Sequence, residues 1–147
     1  MRGQALLMLG RNQEALEAAR KSEQMSHPVI RLWAVGLRAF VEGNRQECLA
    51  VAERLLSLKH LDLEGMYYLA RQYARLGESR RALEVLGRAV DSGYYPYPAL
   101  SADPWLEPLG GAPDWGAILA RAEQRWLQAR RTFQEAGGDE VLDVRAP

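Results

Sequence analysis

Residues 66–86 read MYYLARQYARLGESRRALEVL and predict two helices joined at Gly77. Before this glycine, four residues have the i, i+3, i+4, i+7 spacing that places them on one face of a helix: Met66, Leu69, Ala70 and Tyr73. A second helical stretch follows the glycine. Because Ala70 and Ala82 are small, they would let the two helices approach closely. The stretch therefore indicates a helical hairpin.

The same hairpin pattern recurs along the chain. Glycines between helical stretches stand at positions 10, 43 and 77, with spacings of 33 and 34 residues, and Gly111 continues the series. Each of the first three is followed, five positions on, by a small residue: Ala15, Cys48 and Ala82. A period of this length is typical of helical repeat proteins, because one hairpin can bury its apolar face only against a neighbour.

The pattern resembles the tetratricopeptide repeat, whose period is about 34 residues and whose helices carry W-x2-L-G-x2-Y and A-x3-F. The corresponding residues are Met66, Leu69, Ala70, Tyr73, Ala82 and Leu86 in the third repeat, and Leu32, Val35, Gly36 and Ala39 in the second. The resemblance implies an all-α fold. It implies a right-handed solenoid of about three hairpins, with a degenerate fourth repeat and a long C-terminal capping helix.

Turn residues divide the chain into the expected repeats. We expect one helical repeat domain over 1–136, followed by a flexible tail over 137–147. Its repeats are predicted near 1–27, 28–61 and 62–95, with a degenerate repeat or cap over 96–136. Helices are predicted near 2–9, 12–25, 28–42, 45–58, 62–76, 79–92, 103–108 and 113–136.

Prolines and aromatic residues are concentrated in residues 94–115, YYPYPALSADPWLEPLGGAPDW, which cannot form one regular helix. We expect the apolar side chains of this segment to cover the end of the repeat array. The alternative is that its aromatic residues form a ligand cage. The phrases DPWLEPL and PDWGAILARAE resemble the closing segment of tetratricopeptide arrays in bacterial signalling proteins. Such arrays accompany serine/threonine kinases, adenylate cyclase-like proteins and winged-helix regulators.

Composition argues against several classes of partner. Lys plus Arg and Asp plus Glu both number 19, so the net charge is zero and no positive field attracts nucleic acid. Cys48 is the only cysteine, which excludes an internal disulfide and fits a reducing compartment. No apolar stretch is long enough for a membrane span. We therefore expect a cytoplasmic protein with no nucleic-acid or membrane partner.

No motif of a catalytic or cofactor site is present. The sequence lacks both G-x4-G-K-[ST] and G-x-G-x-x-G, and its two histidines, His27 and His60, lack the spacing of metal ligands. Cys48 stands at a predicted contact between helices and is expected to be a buried, unreactive thiol. We predict no catalytic residue, no cofactor and no metal, and hence that the chain is not an enzyme.

The first helix of each hairpin is predicted to line the concave side of the solenoid, where such folds bind partners. The predicted peptide-binding groove consists of Trp33, Leu37, Phe40, Tyr67, Arg71 and Arg75. The first three would form an apolar floor, and the others a polar, cationic part that suits an acidic or carboxylate group of a peptide. Alternatively, Trp33 and Phe40 pack on the preceding hairpin, and the two arginines are solvated.

These observations predict a non-catalytic module that binds a partner protein or peptide. One alternative is a C-terminal regulatory segment of a larger signalling protein, such as a kinase, a cyclase or a transcription regulator. A small enzyme whose residues meet only in space is a third alternative. Because Met1 falls inside the first repeat, we expect either a piece of a larger protein or a homo-oligomer formed through the N-terminal face.

Overall fold

The computed structural model describes residues 2–59 and 61–142, so Met1, His60 and residues 143–147 lie outside the described residues. Within those ranges the chain forms nine α-helices and no strand. The α-helices are α1 Arg2–Met8, α2 Asn12–Glu23, α3 Pro28–Val41, α4 Arg45–Leu56, α5 Leu63–Arg75, α6 Ser79–Asp91, α7 Tyr97–Ala102, α8 Pro113–Glu135 and α9 Gly138–Val141, and a short 3-10 helix spans Glu107–Leu109. The predicted all-α class is confirmed.

The helices form two compact units, unit 1 over Met1–Leu61 and unit 2 over Asp62–Pro147. In unit 1, α1 packs against α2, α2 against α3, and α3 against α4. In unit 2, α5 packs against α6, and α8 contacts α6, α7 and α9. The 3-10 helix contacts both α5 and α6. Each predicted hairpin is therefore a pair of packed helices.

Glycines in the left-handed region end the first helix of each hairpin. The φ angles of Gly10, Gly43 and Gly77 are +71°, +72° and +78°, a conformation that glycine adopts without a clash at Cβ. Directly after α5 in the chain, the N–H of Glu78 donates to the carbonyl of Tyr73 at 2.9 Å and caps the C-terminal end of the helix. The regular spacing of the three glycines thus reflects one shared structural role.

Small residues allow the paired helices to approach closely, as predicted. Ala15, Cys48 and Ala82 are completely buried. The thiol of Cys48 on α4 lies 3.6 Å from the carbonyl oxygen of Gly36 on α3. Because a larger side chain at either position would separate α3 from α4, the pair fixes the spacing of this hairpin. The prediction that Cys48 is buried is confirmed.

The predicted short helix near 103–108 is wrong. The chain forms α7 before this range and the 3-10 helix near its end. Asp103 has an extended backbone, with φ −76° and ψ 113°, which is the conformation that a following proline favours. The helix therefore ends at this Asp-Pro step instead of beginning there. The predicted long helix near 113–136 is present as α8.

The core of unit 2 is formed by α5, α6 and the proline-rich segment that follows them. Its large, fully buried side chains are Leu69, Tyr73, Val85, Leu86, Val90, Leu100, Leu106 and Leu109. The last three belong to the proline-rich segment, so this segment contributes to the core of its own unit. After α8 in the chain, the segment 137–147 that was predicted to be a flexible tail contains the short helix α9.

Candidate functional site

The six residues predicted to line a groove fall into two groups, three on α3 in unit 1 and three on α5 in unit 2. On α3, Trp33, Leu37 and Phe40 are all half-buried. Leu37 packs against Gly3 of α1, because a Cβ added to this glycine would overlap Leu37 Cδ2. Part of the predicted apolar floor is therefore in contact with the preceding helix pair.

The three residues on α5 differ in their burial. Tyr67 is 8% exposed and Arg71 is 4% exposed, whereas Arg75 is exposed to solvent. Arg71 forms an ion pair with Asp103, with 2.8 Å between Nε and Oδ2. The structure thus brings Tyr67 and Arg71 together with a carboxylate of the same unit, and the alternative in which Arg71 is solvated is wrong.

The carboxylate of Asp103 is bonded on both of its oxygens. Oδ2 accepts a hydrogen bond from the hydroxyl of Tyr67 and also pairs with Arg71. Oδ1 accepts from the backbone N–H of Trp105 at 2.9 Å. A buried charge is tolerated when it is paired and hydrogen-bonded. This cluster therefore holds the proline-rich segment against α5.

Aromatic rings surround the guanidinium of Arg71. Its central carbon lies 5.0 Å from the ring centroid of Trp105, 5.3 Å from that of Tyr67 and 5.6 Å from that of Tyr68. A cation within about 6 Å of an aromatic ring is attracted by the negative face of the ring. Trp105, one of the aromatic residues considered for a ligand cage, thus packs on a cation of the same unit.

The hydroxyls of this aromatic cluster stay protonated at neutral pH. Burial raises the pKa of Tyr68 to about 12, and its hydroxyl donates to Glu64 at 2.8 Å. Burial raises the pKa of Tyr67 further, assisted by the hydrogen bond to Asp103. Because the neutral hydroxyl is favoured in both residues, these tyrosines act as hydrogen-bond donors and not as bases.

Unit 1 contains a cleft between α3 and α4 with a volume of about 430 Å³. We call it the α3–α4 cleft. It is lined on the α3 side by Pro28, Val29, Arg31, Leu32 and Val35, and on the α4 side by Glu47, Ala50, Val51, Arg54 and Leu58. The residues of each side recur every three or four positions, so each helix presents one face to the cleft. Volumes of this size are usual for binding sites on proteins.

The α3–α4 cleft has apolar walls and a charged rim. The apolar wall residues are Val29, Leu32, Val35, Val51 and Leu58. Arg31 and Arg54 lie exposed at the rim. Within residues 2–59 and 61–142, neither guanidinium pairs with a carboxylate; that of Arg31 donates to the carbonyl of Met25 at 3.1 Å and 3.3 Å. Such a surface combines a place for apolar side chains with unneutralised positive charge.

The carboxylate of Glu47, by contrast, has a cationic partner. Arg38 on α3 binds it at 2.8 Å and also pairs with Glu23 at 2.7 Å and Glu42 at 2.8 Å. The hydrogen bonds to these carboxylates, that to Glu47 above all, raise the pKa of Arg38. Arg38 therefore ties α2, α3 and α4 together and fixes the two walls of the cleft relative to each other.

A larger hollow of about 630 Å³ lies along α8 in unit 2. Apart from Tyr95, its lining comes from a single run of residues between Arg125 and Ala136. Because one helix supplies almost all of the lining, this hollow has no second helical wall to enclose a ligand. The α3–α4 cleft, with a wall from each of two helices, is the more enclosed of the two hollows.

Sequence reasoning missed the α3–α4 cleft because it matched Leu32 and Val35 to the repeat motif and placed the predicted groove on Trp33, Leu37 and Phe40. Both are half-buried in the structure and line the cleft. The available signal was that α3 carries two adjacent apolar stripes, one with Leu32 and Val35 and the other with Trp33 and Leu37. A single pair of helices can bury only part of two such stripes.

Among residues 2–59 and 61–142, no three His, Cys, Asp or Glu side chains are grouped so that they could hold a metal ion. In the same part of the chain, no helix combines the length and the apolar character needed to cross a membrane.

Comparisons with protein-family models, with curated proteins and with solved structures found no match.

Proposed function

We propose that this chain is a non-catalytic protein-binding module of the tetratricopeptide type, and that it holds an amphipathic helix of a partner protein in the α3–α4 cleft. The observation that supports this most directly is the cleft itself, with apolar walls on two helices and charges at its rim. A helix that lies in such a groove buries its apolar face and keeps its polar face in water. Surfaces of stacked helical hairpins are a common means of binding proteins.

The dimensions of the cleft fit a helix. Glu47 and Arg54 are seven residues apart on α4, which corresponds to about 10 Å along the helix axis. Apolar residues at positions i, i+3 or i+4, and i+7 of a partner helix span the same distance. Three apolar side chains from one face of the partner would thus follow the length of the cleft.

The cleft also has apolar surface left to bury. Leu32, Val35 and Leu58 are only half-buried, so a bound helix would remove further apolar area from water, at about 25 cal/mol for each Å². The cluster of Tyr67, Arg71 and Asp103 in unit 2 is less suited to a partner than the cleft. Arg71 is already ion-paired with Asp103, and Tyr67 already donates a hydrogen bond to it. A partner at Arg71 would first have to displace that carboxylate.

The proposal is tested by filling the cleft. Ala50 is exposed and lines the cleft, so Ala50→Trp should obstruct it without disturbing the core. Ala5 on α1 is exposed and does not line it, which makes Ala5→Trp a matched control. Helical peptides selected against the native chain from an amphipathic-helix library should bind the control equally well. They should bind Ala50→Trp at least about tenfold more weakly. Failure to enrich any peptide, or unchanged binding to Ala50→Trp, would refute the proposal.

A further inference from the structure

We infer that the partner helix is acidic, with its negative side chains concentrated in the half of the α3–α4 cleft that is farther from Gly43. This inference rests on the proposed function and adds the chemistry of the partner. It is carried by the positions of the charges at the rim, because apolar walls alone do not distinguish one amphipathic helix from another.

The two rim arginines lie in the half of the cleft that is farther from Gly43. Helices α3 and α4 pack against each other and are joined by a short turn at Gly43, so they run in opposite directions. Arg31 precedes this glycine by 12 residues and Arg54 follows it by 11. At 1.5 Å per residue, both arginines therefore lie about 17 Å from the turn. Their positive charges therefore add in that half of the cleft, while Pro28 and Leu58 lie farther still from the turn.

The half of the cleft nearer Gly43 contains no cation among its lining residues. Glu47 lies in this half, four residues after Gly43, and its carboxylate shares Arg38 with Glu23 and Glu42. Neither Arg31 nor Arg54 has a carboxylate partner among residues 2–59 and 61–142. The unpaired positive charge of the rim is therefore confined to the half that is farther from Gly43.

This asymmetry selects a partner by charge. A helix seated between α3 and α4 brings its flanking side chains within a Debye length of both arginines, which is about 8 Å at physiological ionic strength. Glutamate or aspartate there would be attracted, whereas lysine or arginine would be repelled. Since the arginines are exposed, the effect is one of preference between partners and weakens as salt is added.

The inference can be tested with three synthetic helical peptides of 14 residues. All three carry leucine at the same i, i+3 and i+7 positions, and they differ only in having glutamate, glutamine or lysine at the flanking positions near one end. We expect the glutamate peptide to bind the native chain about tenfold more tightly than the lysine peptide, with a smaller ratio at high salt. Equal affinities would overturn the inference.

Charge-reversal variants locate the effect. The double variant R31E/R54E should prefer the lysine peptide, whereas the control R2E/K21E changes the net charge equally at exposed positions outside the cleft and should keep the native preference. Because Arg31 also donates to the carbonyl of Met25, its replacement removes a hydrogen bond as well as a charge. The single variant R54E is therefore a second test, and it should reduce the ratio between the affinities for the glutamate and lysine peptides. If R2E/K21E also came to prefer the lysine peptide, the preference would depend on the overall charge of the chain, and the inference would be overturned.

The outcomes separate the inference from the proposed function. If all three peptides bind equally and Ala50→Trp abolishes their binding, the cleft remains a helix-binding site. Only the preference for acidic peptides is then refuted. Failure of all three peptides to bind would overturn both.

Discussion

Asp103 bonds to the hydroxyl of Tyr67, the guanidinium of Arg71 and the backbone N–H of Trp105. These contacts bring a loop residue onto a helix that lies more than 30 residues earlier in the chain. Sequence analysis identified Arg71 as a cation able to bind a carboxylate. It could not identify the carboxylate, because nothing in the local pattern of an Asp-Pro step reports a partner so distant.

Removal of the Asp103 carboxylate should destabilise unit 2. In Asp103→Ala the guanidinium of Arg71, whose side chain is 5% exposed, would lose its ion pair with Asp103. Removing one partner of a buried ion pair destabilises a protein by about 3–5 kcal/mol. The free energy of unfolding, measured by urea denaturation, should therefore fall by about this amount. Native stability in Asp103→Ala would show that this pair contributes little.

The matched control for that measurement replaces both charges. Arg71→Met combined with Asp103→Leu leaves no unpaired buried charge and should recover most of the lost stability. If the double variant is as unstable as Asp103→Ala, the loss comes from the hydrogen bonds of Asp103 to Tyr67 and Trp105 or from packing of the loop, and not from the ion pair.

The tyrosines of the same cluster make stability depend on alkaline pH. The pKa of Tyr68 rises from 10.0 to about 12, and that of Tyr67 rises as well. Between pH 10 and 12, the unfolded chain therefore loses protons that the folded chain keeps. The stability due to these hydroxyls is complete below pH 10 and is lost as the pH rises towards the folded values.

The variant Y67F/Y68F tests this dependence. Without the two hydroxyls, the fall in the free energy of unfolding between pH 10 and pH 12 should be smaller than in the native chain. The tyrosines outside the cluster are unchanged in both proteins and provide the internal control. An identical fall in both proteins would show that the two pKa values are not raised.

Individual helices were the easiest features to predict, because their ends depend on local chemistry. Asp62 at the start of α5 accepts a hydrogen bond from the N–H of Gly65 at 2.6 Å, and Asn44 does the same for Glu47 at 3.2 Å on α4. These caps mark the starts of α4 and α5, and the left-handed glycines mark the ends of α1, α3 and α5. All six helices of the hairpins lie near their predicted bounds. The sequence analysis did not predict α7, for which no such signal was recognised.

The cap of α5 can be tested at a single position. Asp62→Ala removes the oxygen that accepts from Gly65, and we expect the free energy of unfolding to fall by about 1 kcal/mol. Asp62→Asn keeps an oxygen at the same place and should retain most of the stability. The two variants are compared by urea denaturation, and equal losses would mean that the cap bond contributes nothing.

Which face of a helix remains available for binding is harder to predict than the helix itself. Leu32 and Val35 have the spacing expected of a core stripe, yet they line the α3–α4 cleft. Trp33 and Leu37 belong to the stripe assigned to a groove, and Leu37 packs on Gly3 instead. Both stripes are apolar, so only the tertiary packing distinguishes them.

For the whole chain, the repeat period predicted helix pairs, and the structure contains them in both units. The right-handed solenoid stays a prediction, since a period specifies which helices pair and leaves the stacking of successive pairs to longer-range contacts. The groove formed jointly by α3 and α5 also stays a prediction. The function proposed above depends only on unit 1, where both walls of the cleft lie.

The most direct test is a methyl NMR titration of the whole chain with the glutamate-flanked peptide. We expect the methyl resonances of Leu32, Val35 and Val51 in the cleft to shift progressively as peptide is added, while those of Leu69 and Leu86 in the core of unit 2 stay in place. Resonances that shift only in unit 2, or that do not shift at all at saturating peptide, would contradict the assignment of the α3–α4 cleft as the binding site.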